Sequence, residues 1–471
     1  MAAMTALLPI MTALLLGAPQ ASPPTPPPTP RTPRTPPARK ARPAPRPRLV
    51  PPPRRTSEPH PAPPKPRAPV SSRSPKPKGW RLPKRIGPFR LISQNGQNAL
   101  TLGFAGQLQG TAGIADVGSE DPDNALGPRL RRIRLVLQGS FLTKHLQYAF
   151  QLSTAPRSLE IMDFLLEYRF HRHLRLRVGQ YKIPFTSHRA GSFKTVTFVD
   201  WSMLVAAFGS ERQLGVHLHN DDAGPAGFFY AVGVFTGQNA RKANAQLYAW
   251  TWGETLPNPS DLTAPAPRDP LHPELVARLA YKTRGILTKQ DTDFKGGPLR
   301  VAVTLGLAWD LNPNLYLDQA LRAAAELLLK ARFASFHAAL YLATSRADER
   351  FSQRFAMLGG LVQTSYLIKR RWEVALRYTV LHFDQRLLDD ARRRAGDLIN
   401  AETDPVARAA LENQYSSAGT IQREHEVTAG VNWYLVQNDL KLQLDLAWLG
   451  HERAAGLIHD VRARLQLQLA F

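Results

Sequence analysis

The most informative absences in this 471-residue chain are those of cysteine and of long apolar segments. Without cysteine, the chain has neither a disulfide framework nor a thiolate metal site. Outside the N-terminal leader, no apolar run is long enough to cross a bilayer as an α-helix, which takes about 20 residues. If the chain enters a membrane, it must therefore do so with β-strands.

Signatures of common catalytic and nucleotide-binding sites are missing as well. The sequence holds no GxxxxGK[ST], HExxH or GxSxG pattern. His425-Glu426 lacks a second histidine, and His171 with His173 offers only two ligands, so a polar turn explains that pair better than a metal does. No nucleophile and base can be assigned together. The sequence predicts no enzyme, no catalytic residue, no metal and no cofactor.

The N-terminal part differs from the rest in composition. Residues 1–21 contain an apolar stretch followed by small residues, which predicts a secretory signal peptide. Residues 22–88 hold 25 of the 41 prolines, and 17 Lys and Arg against one acid, Glu58. Such a segment cannot bury a core, so it predicts a disordered Pro/Arg-rich linker. Two interpretations of its charge stay open: contact with an anionic cell-wall polymer, or a linker kept soluble by charge. No aromatic residue precedes Trp80 for base stacking, so nucleic acid is not an expected partner.

The last strand shows the pattern that recurs through residues 89–471. From Val461 to Phe471, apolar side chains occupy every second position, and Arg or Gln most of the positions between them. Strict period-two alternation gives a strand one apolar face and one polar face. The hydrophobic content of 43% is ordinary for a soluble protein, yet a barrel needs only half of each strand apolar. The pattern therefore favours an all-β transmembrane barrel over a soluble sandwich.

Sixteen segments carry this alternation, and an even number is what a bacterial barrel requires. Their predicted cores are 98–109, 130–141, 145–154, 160–170, 173–182, 212–219, 227–236, 274–282, 298–309, 321–330, 333–344, 355–368, 371–383, 424–435, 438–449 and 459–471. Segments 318–334 and 386–414 also have the composition of helices, and the second is interpreted as a helical loop.

The lengths of the connections support a barrel independently. Outer-membrane barrels have short turns at one end and long loops at the other. The short connections lie at 142–144, 171–173, 369–371 and 437–439. The long ones all have the opposite parity and lie at 110–129, 183–211, 237–273 and 384–423. One turn of the short parity, 283–297, is longer than expected.

Alternation also predicts which charges point inward. Eleven inward cations are expected: Arg132, Arg134, Arg169, Arg175, Arg177, Arg278, Arg300, Arg377, Lys441, Arg462 and Arg464. Five inward carboxylates oppose them: Asp163, Glu167, Glu373, Glu426 and Asp445. A water-filled lumen with excess fixed positive charge concentrates anions. The alternative is that these arginines pair with carboxylates and only hold the wall together.

Specific segments resemble a known family. They are RRIRLVLQGSF (131–141), DFLLEYRF (163–170), RVGQYKIPF (177–185), RQLGVHL (212–218), AVGVFTG (231–237) and GVNWYLVQNDLKLQLDLAW (430–448). In this order, together with the terminal Phe471, they resemble the phosphate-selective porin O and P family over most of residues 98–471. The resemblance does not cover the Pro-rich segment.

The resemblance implies a 16-stranded antiparallel barrel in the Gram-negative outer membrane, in contact with its lipid, usually as a homotrimer. It implies that loop 183–211 folds into the lumen. In the family, adjacent arginines on the second barrel strand act with an aspartate on the fourth at an anion-binding constriction. The matching positions are Arg131, Arg132 and Asp163, with Arg134 and Lys182 expected nearby. Alternation turns only one of Arg131 and Arg132 inward, so both can reach the lumen only through a bulge or a tilt.

The sequence thus predicts a signal peptide (1–21), a disordered periplasmic linker (22–88) and a multi-pass barrel domain (89–471). The expected function is an outer-membrane porin for small anions, with phosphate or polyphosphate as candidates. The alternative is a structural barrel tethered to the cell wall through its basic Pro-rich tail. Arg132 is expected to matter more for phosphate binding than Arg462, which alternation assigns to another part of the lumen.

Overall fold

The structure is a computed structural model that describes residues 87–115, 123–155, 158–208, 212–220, 226–237, 273–311, 319–345, 356–414, 421–453 and 456–471. The predicted signal peptide and all but the last two residues of the Pro-rich linker lie outside the described residues, as do residues 116–122 and 238–272.

The described residues form seventeen strands, all antiparallel to their neighbours. Their bounds are β1 Phe89–Ile92, β2 Ala99–Ala115, β3 Asp123–Phe141, β4 Thr143–Ala155, β5 Ser158–His171, β6 Leu174–Lys182, β7 Arg212–His219, β8 Gly227–Phe235, β9 Glu274–Lys282, β10 Arg300–Asp310, β11 Gln319–Ala331, β12 Ala334–Ser345, β13 Ala356–Ile368, β14 Trp372–Phe383, β15 Ile421–Val436, β16 Leu440–Arg453 and β17 Gly456–Ala470.

Strands β2 to β17 close a sixteen-stranded barrel in the described part of the chain. Each pairs with the next, and β17 pairs with β2 from Val461 opposite Ile114 to Ala470 opposite Ala105. Every predicted strand core overlaps one of these sixteen strands and extends beyond its bounds by at most two residues, so the predicted fold class is confirmed. Closure leaves no free sheet edge among them.

The sequence did not predict the short strand β1. It pairs with β2 along Ala99–Leu102, directly beyond the point where Phe471 exchanges backbone hydrogen bonds with Phe104. β1 therefore occupies the same side of β2 as β17 and continues that strand toward the short-turn end.

Helices occur only in the long connections of the described chain. In the connection after β6 lie α1 (Ser187–Ala190), a 3-10 turn (Phe193–Thr195) and α2 (Met203–Phe208). Between β14 and β15 lie α3 (Gln385–Ala401) and α4 (Pro405–Gln414), which confirms the predicted helical loop. The described residues of segment 318–334 form strand β11, the turn after it and the first residue of β12, rather than a helix. No described helix has both the length and the apolar character needed to cross a bilayer.

The outer surface of the barrel is apolar, and its interior carries the polar side chains. On β10, Val303, Leu305 and Leu307 are exposed, whereas Arg300 and Thr304 are buried inside. Tryptophans lie near both ends of the wall: Trp372 and Trp433 stack at 5.3 Å beside the short turns, and Trp309 lies near the long loops. This arrangement is the apolar band with aromatic girdles of a membrane barrel.

Candidate functional site

An inner loop, residues 183–208, fills much of the barrel interior. β6 and β7 are short strands of nine and eight residues. The inner loop leaves the barrel wall where β6 ends at Lys182, which pairs with Arg212 at the start of β7. The predicted entry of loop 183–211 into the lumen is therefore observed for its described residues.

The inner loop packs on the wall formed by β10 to β16, here called the packed wall. Phe185, Leu204 and Phe208 are almost fully buried in one apolar cluster, and Phe208 stacks on Tyr341 of β12 at 5.4 Å. The wall leaves room for this contact with small inward residues. A Cβ on Gly306 would collide with the backbone carbonyl oxygen of Phe185, so the close approach requires glycine there.

Polar contacts also anchor the inner loop to the packed wall. Glu326 of β11 accepts the backbone N–H groups of Ser187 and His188 at 2.6 and 3.2 Å, where α1 begins. Lys441 of β16 donates to the carbonyl oxygen of Val196 at 2.8 Å. The loop is thus held by side chains whose own burial would be costly without partners.

The unexpectedly long connection between β9 and β10, residues 283–299, supports the inner loop from the short-turn end. The N–H of Asp291 donates to the carbonyl oxygen of Thr195 at 3.1 Å, and the Asp291 carboxylate accepts the N–H of Thr197 at 3.1 Å. Asp293 pairs with Arg300 at 2.7 Å, with both side chains buried. This connection therefore lies inside the barrel and supports the inner loop, rather than forming a surface turn.

Among the described residues, two sizeable cavities lie on the opposite side of the inner loop. The loop-side cavity, of about 430 Å³, faces the long-loop end, and the turn-side cavity, of about 330 Å³, faces the short turns. Seven cations line the first: Arg131, Arg132, Arg134, Arg189, Arg212, Arg462 and Arg464. Seven line the second: Arg134, Arg175, Arg177, Lys182, Arg212, Arg278 and Lys289. The cavities meet at Arg134 and Arg212, which line both.

Five carboxylates of the described chain face these cations, and two of them, Glu167 and Asp445, lie behind the lining and pair with Arg175, Arg177 and Arg464. Asp200 and Glu426 line the loop-side cavity, and Asp163 lines the turn-side cavity. The wall that supplies most of the cations, β3 to β9 together with β17, is here called the cationic wall.

Arg131 and Arg132 both reach the loop-side cavity because β3 contains a bulge. Gln107 of β2 pairs with Arg132, and the next residue, Leu108, pairs with Leu130, so Arg131 is the extra residue. This is the irregularity that the sequence required for two adjacent inward arginines.

The partner of the two arginines is Asp200 of the inner loop, not Asp163. Arg131 Nη2 donates to Asp200 Oδ2 at 2.7 Å, and Arg132 Nη2 donates to Oδ1 at 3.1 Å. Burial alone would raise the pKa of Asp200, but the two guanidinium charges outweigh burial and hold this pKa below its usual value. Asp200 is therefore an anion at neutral pH.

The other predicted site residues lie around the junction of the cavities. Asp163 accepts from Arg212 Nε at 2.6 Å. Lys182 donates to the carbonyl oxygens of Arg189 and Gly191 at 3.1 and 2.6 Å, so it also holds the inner loop. Arg134 lies over the ring of Phe193 at 4.6 Å. The five predicted residues thus share one region but not one coordination shell.

Trp201 separates cations of the loop-side cavity and its junction. The Cζ atoms of Arg132 and Arg189 lie 5.5 and 4.8 Å from its ring centroid, and Lys182 Nζ lies at 5.1 Å. A ring face attracts cations while keeping their charges apart.

Sequence reasoning missed Asp200, Trp201 and Arg212 as site residues. Arg212 begins a predicted strand, and its place opposite Lys182 followed from that strand pairing. Nothing local marks Asp200, because its role depends on how the inner loop folds. The expectation that Arg462 lies elsewhere in the lumen is wrong, since Arg462 lines the same cavity as Arg131 and Arg132.

One protein family matches part of the chain. Residues 103–266 match the phosphate-selective porin O and P family, which confirms the family resemblance over this part of the chain. No curated protein matches the sequence.

Solved structures of similar shape include outer-membrane proteins of three bacteria. The channel DcaP of Acinetobacter baumannii has 13% identity and a TM-score of 0.48 over 82% of this chain and 100% of its own. The high-pH structure of OprB from Pseudomonas putida has 12% identity and a TM-score of 0.47, over 80% of this chain and 94% of its own. An anion-selective porin from Comamonas acidovorans has 13% identity and a TM-score of 0.46, over 79% of this chain and 100% of its own.

The closed barrel, its apolar exterior and the family match define a class. The chain is a multi-pass β-barrel of the Gram-negative outer membrane.

Proposed function

We propose that the channel conducts small anions passively. The observation that supports this is the lining of the two cavities, each with seven cations against at most two carboxylates. Fixed positive charge in a narrow aqueous space concentrates anions and raises the energy of cations. The inner loop, packed on the opposite wall, occupies much of the remaining interior. Ions that cross the barrel therefore pass along the cationic wall.

Phosphate and polyphosphate are the oxyanions that this lining suits best. Guanidinium groups present forked donors that match oxyanion geometry, and the bulge at Arg131 brings two of them side by side. An oxyanion that enters a narrow lumen loses hydration, and fixed donors replace those hydrogen bonds. We propose that Arg131, Arg132 and Arg134 bind the anion, while Lys182 and Asp163 hold the inner loop and Arg212 around it.

Planar-bilayer recording tests this function. In a salt gradient, the reversal potential should have the sign of anion preference, and added phosphate should block chloride current in a saturable way. A cation-selective reversal potential, or folded barrels that carry no current, would contradict the proposal. Anion selectivity without saturable block would leave general anion diffusion and remove the phosphate site.

The homotrimer that the resemblance implies is part of the same proposal. Native mass spectrometry in detergent should give three copies per particle. The alternative, a structural tether to the cell wall, depends on residues 22–88, and the described residues add no observation in its favour. Contact of this segment with cell-wall polymer stays a prediction.

A further inference from the structure

Asp200 occupies the donors that a permeating anion would use. Its two carboxylate oxygens face one guanidinium each, at 2.7 Å from Arg131 and 3.1 Å from Arg132. Oδ1 also accepts the N–H of Trp201 at 3.1 Å. Carboxylates and phosphates accept the same charge-assisted hydrogen bonds from arginine. A free oxyanion at this place would therefore compete with Asp200 for both arginines.

The backbone around Asp200 is fixed to the opposite, packed wall. Arg377 of β14 donates to the carbonyl oxygen of Asp200 at 3.1 Å, and Glu426 of β15 accepts the N–H of Met203 at 3.1 Å. The N–H of Val199 donates to Asp445 of β16 at 3.1 Å. These bonds hold the backbone while the Asp200 side chain reaches across to β3. The carboxylate can thus leave the arginines and return without moving the loop.

The arginines keep donors that Asp200 does not use. Nε of Arg131 is buried and has no hydrogen-bond partner within the described part of the chain, and the same is true of Nε of Arg462 in the same cavity. Neither atom is exposed in this structure, so an oxyanion would reach it only if the side chain turned. The seven cations and two carboxylates that line the cavity nevertheless leave it with binding capacity beyond its internal ion pair.

We propose that Asp200 is a tethered competitor that shares Arg131 and Arg132 with permeating oxyanions. This inference rests on the proposed anion channel. Conduction requires that binding be strong enough for entry and weak enough for release. A carboxylate held beside the arginines is always present at high effective concentration and returns as each oxyanion leaves. It thus lowers the affinity of the arginine pair without removing the charges that attract anions.

Asp200→Asn tests the proposal, because it keeps the shape of the side chain and removes the competing charge. The phosphate concentration that halves chloride current should fall about tenfold, the size expected when a charge-assisted competitor is removed. Single-channel records should show longer phosphate blocks, since release slows.

Glu167→Gln is the matched control. It adds the same positive charge to the lumen beside Arg175 and Arg177, but Glu167 does not touch Arg131 or Arg132. Its half-blocking phosphate concentration should change less than about threefold, as a diffuse charge effect does. Heat-modifiable migration in gels should show that both variants fold.

Three outcomes overturn the proposal: an unchanged half-blocking concentration in Asp200→Asn, an equal shift in both variants, or a change in open-channel chloride conductance alone. The last would make Asp200 only a latch of the loop. These results are distinct from failure of the proposed function, which the unsubstituted channel reports through its reversal potential.

Discussion

The packed wall and the cationic wall carry similar side chains but handle their charges differently. Arg322 of the packed wall pairs with Glu274 of β9, and Arg377 pairs with Glu426 within the packed wall, with all four side chains almost fully buried. On the cationic wall, cations outnumber carboxylates around both cavities. The same strand alternation produced both walls. What separates them is the inner loop, which covers one wall and leaves the other facing water.

This difference shows why the number of inward-facing charges does not by itself give the electrostatic potential in the lumen. Of the eleven inward cations predicted from alternation, Arg300, Arg377 and Lys441 belong to the packed wall, where ion pairs or carbonyl oxygens engage them. Seven others line the cavities: Arg132, Arg134, Arg175, Arg177, Arg278, Arg462 and Arg464. Four of these seven also have a carboxylate partner: Arg132 pairs with Asp200, Arg175 and Arg177 with Glu167, and Arg464 with Asp445. Selectivity should still follow the second group, because its members line the cavities and the cations there outnumber their carboxylates.

The largest effect on stability should come from the packed wall. Arg322→Leu leaves the fully buried Glu274 without its guanidinium, so the free energy of unfolding should fall by about 3–5 kcal/mol. Denaturant titration in detergent measures it. Arg423→Leu, which breaks an exposed pair with Glu452, should cost at most about 1 kcal/mol. Equal losses of unfolding free energy in the two variants would mean that the Arg322–Glu274 pair is not buried.

The largest effect on selectivity should come from the cationic wall. Arg132→Met removes one of the two donors at the bulge, and the half-blocking phosphate concentration should rise about tenfold. Lys441→Met removes an inward cation that lines neither cavity, and it should change that concentration less than about twofold. Bilayer titration of chloride current with phosphate measures both. Similar shifts would show that the two walls contribute to one diffuse field.

A smaller effect should come from the contact between the inner loop and its wall. Gly306→Ala places a methyl group against the carbonyl oxygen of Phe185, and such overpacking should lower the free energy of unfolding by about 1–3 kcal/mol. Gly110→Ala on β2 meets no atom within 4 Å and is the control. Because alanine restricts the unfolded chain more than glycine, that control should be as stable as the original or slightly more so. If the free energy of unfolding were the same for Gly306→Ala and Gly110→Ala, the inner loop would have to lie farther from β10.

Alternation predicted the barrel because each strand has one face toward lipid and one toward the interior, which is a strong and repeated constraint. It could not predict β1, since four exposed residues carry no usable period. It also set the loops too long, because β2 runs to Ala115 and β3 begins at Asp123, beyond the apolar band that makes alternation visible.

The division of the interior was harder to see in the sequence, although a signal existed. Inward positions of β10 are occupied by Ala302, Gly306 and Ala308, where a water-filled wall would carry polar side chains. Small inward residues mark a surface that another segment covers closely. Asp200 gave no such signal, because its partnership with Arg131 depends on a bulge in one segment and a loop path in another.

The smallest effect should come from the most highly charged part of the chain. Residues 22–88 hold 17 Lys and Arg against one acid, far more excess charge than either wall. If selectivity arises from cations that line the cavities, charges elsewhere should be screened, since the Debye length is about 10 Å at 0.1 M salt. Deletion of residues 22–88 should therefore leave the reversal potential and the phosphate block nearly unchanged. The measurement is made at 0.1 M and 1 M salt, with the unsubstituted channel as the reference. A loss of anion preference at the lower salt alone would assign part of the field to this segment, and a loss of conductance at both would make it a component of the assembled pore.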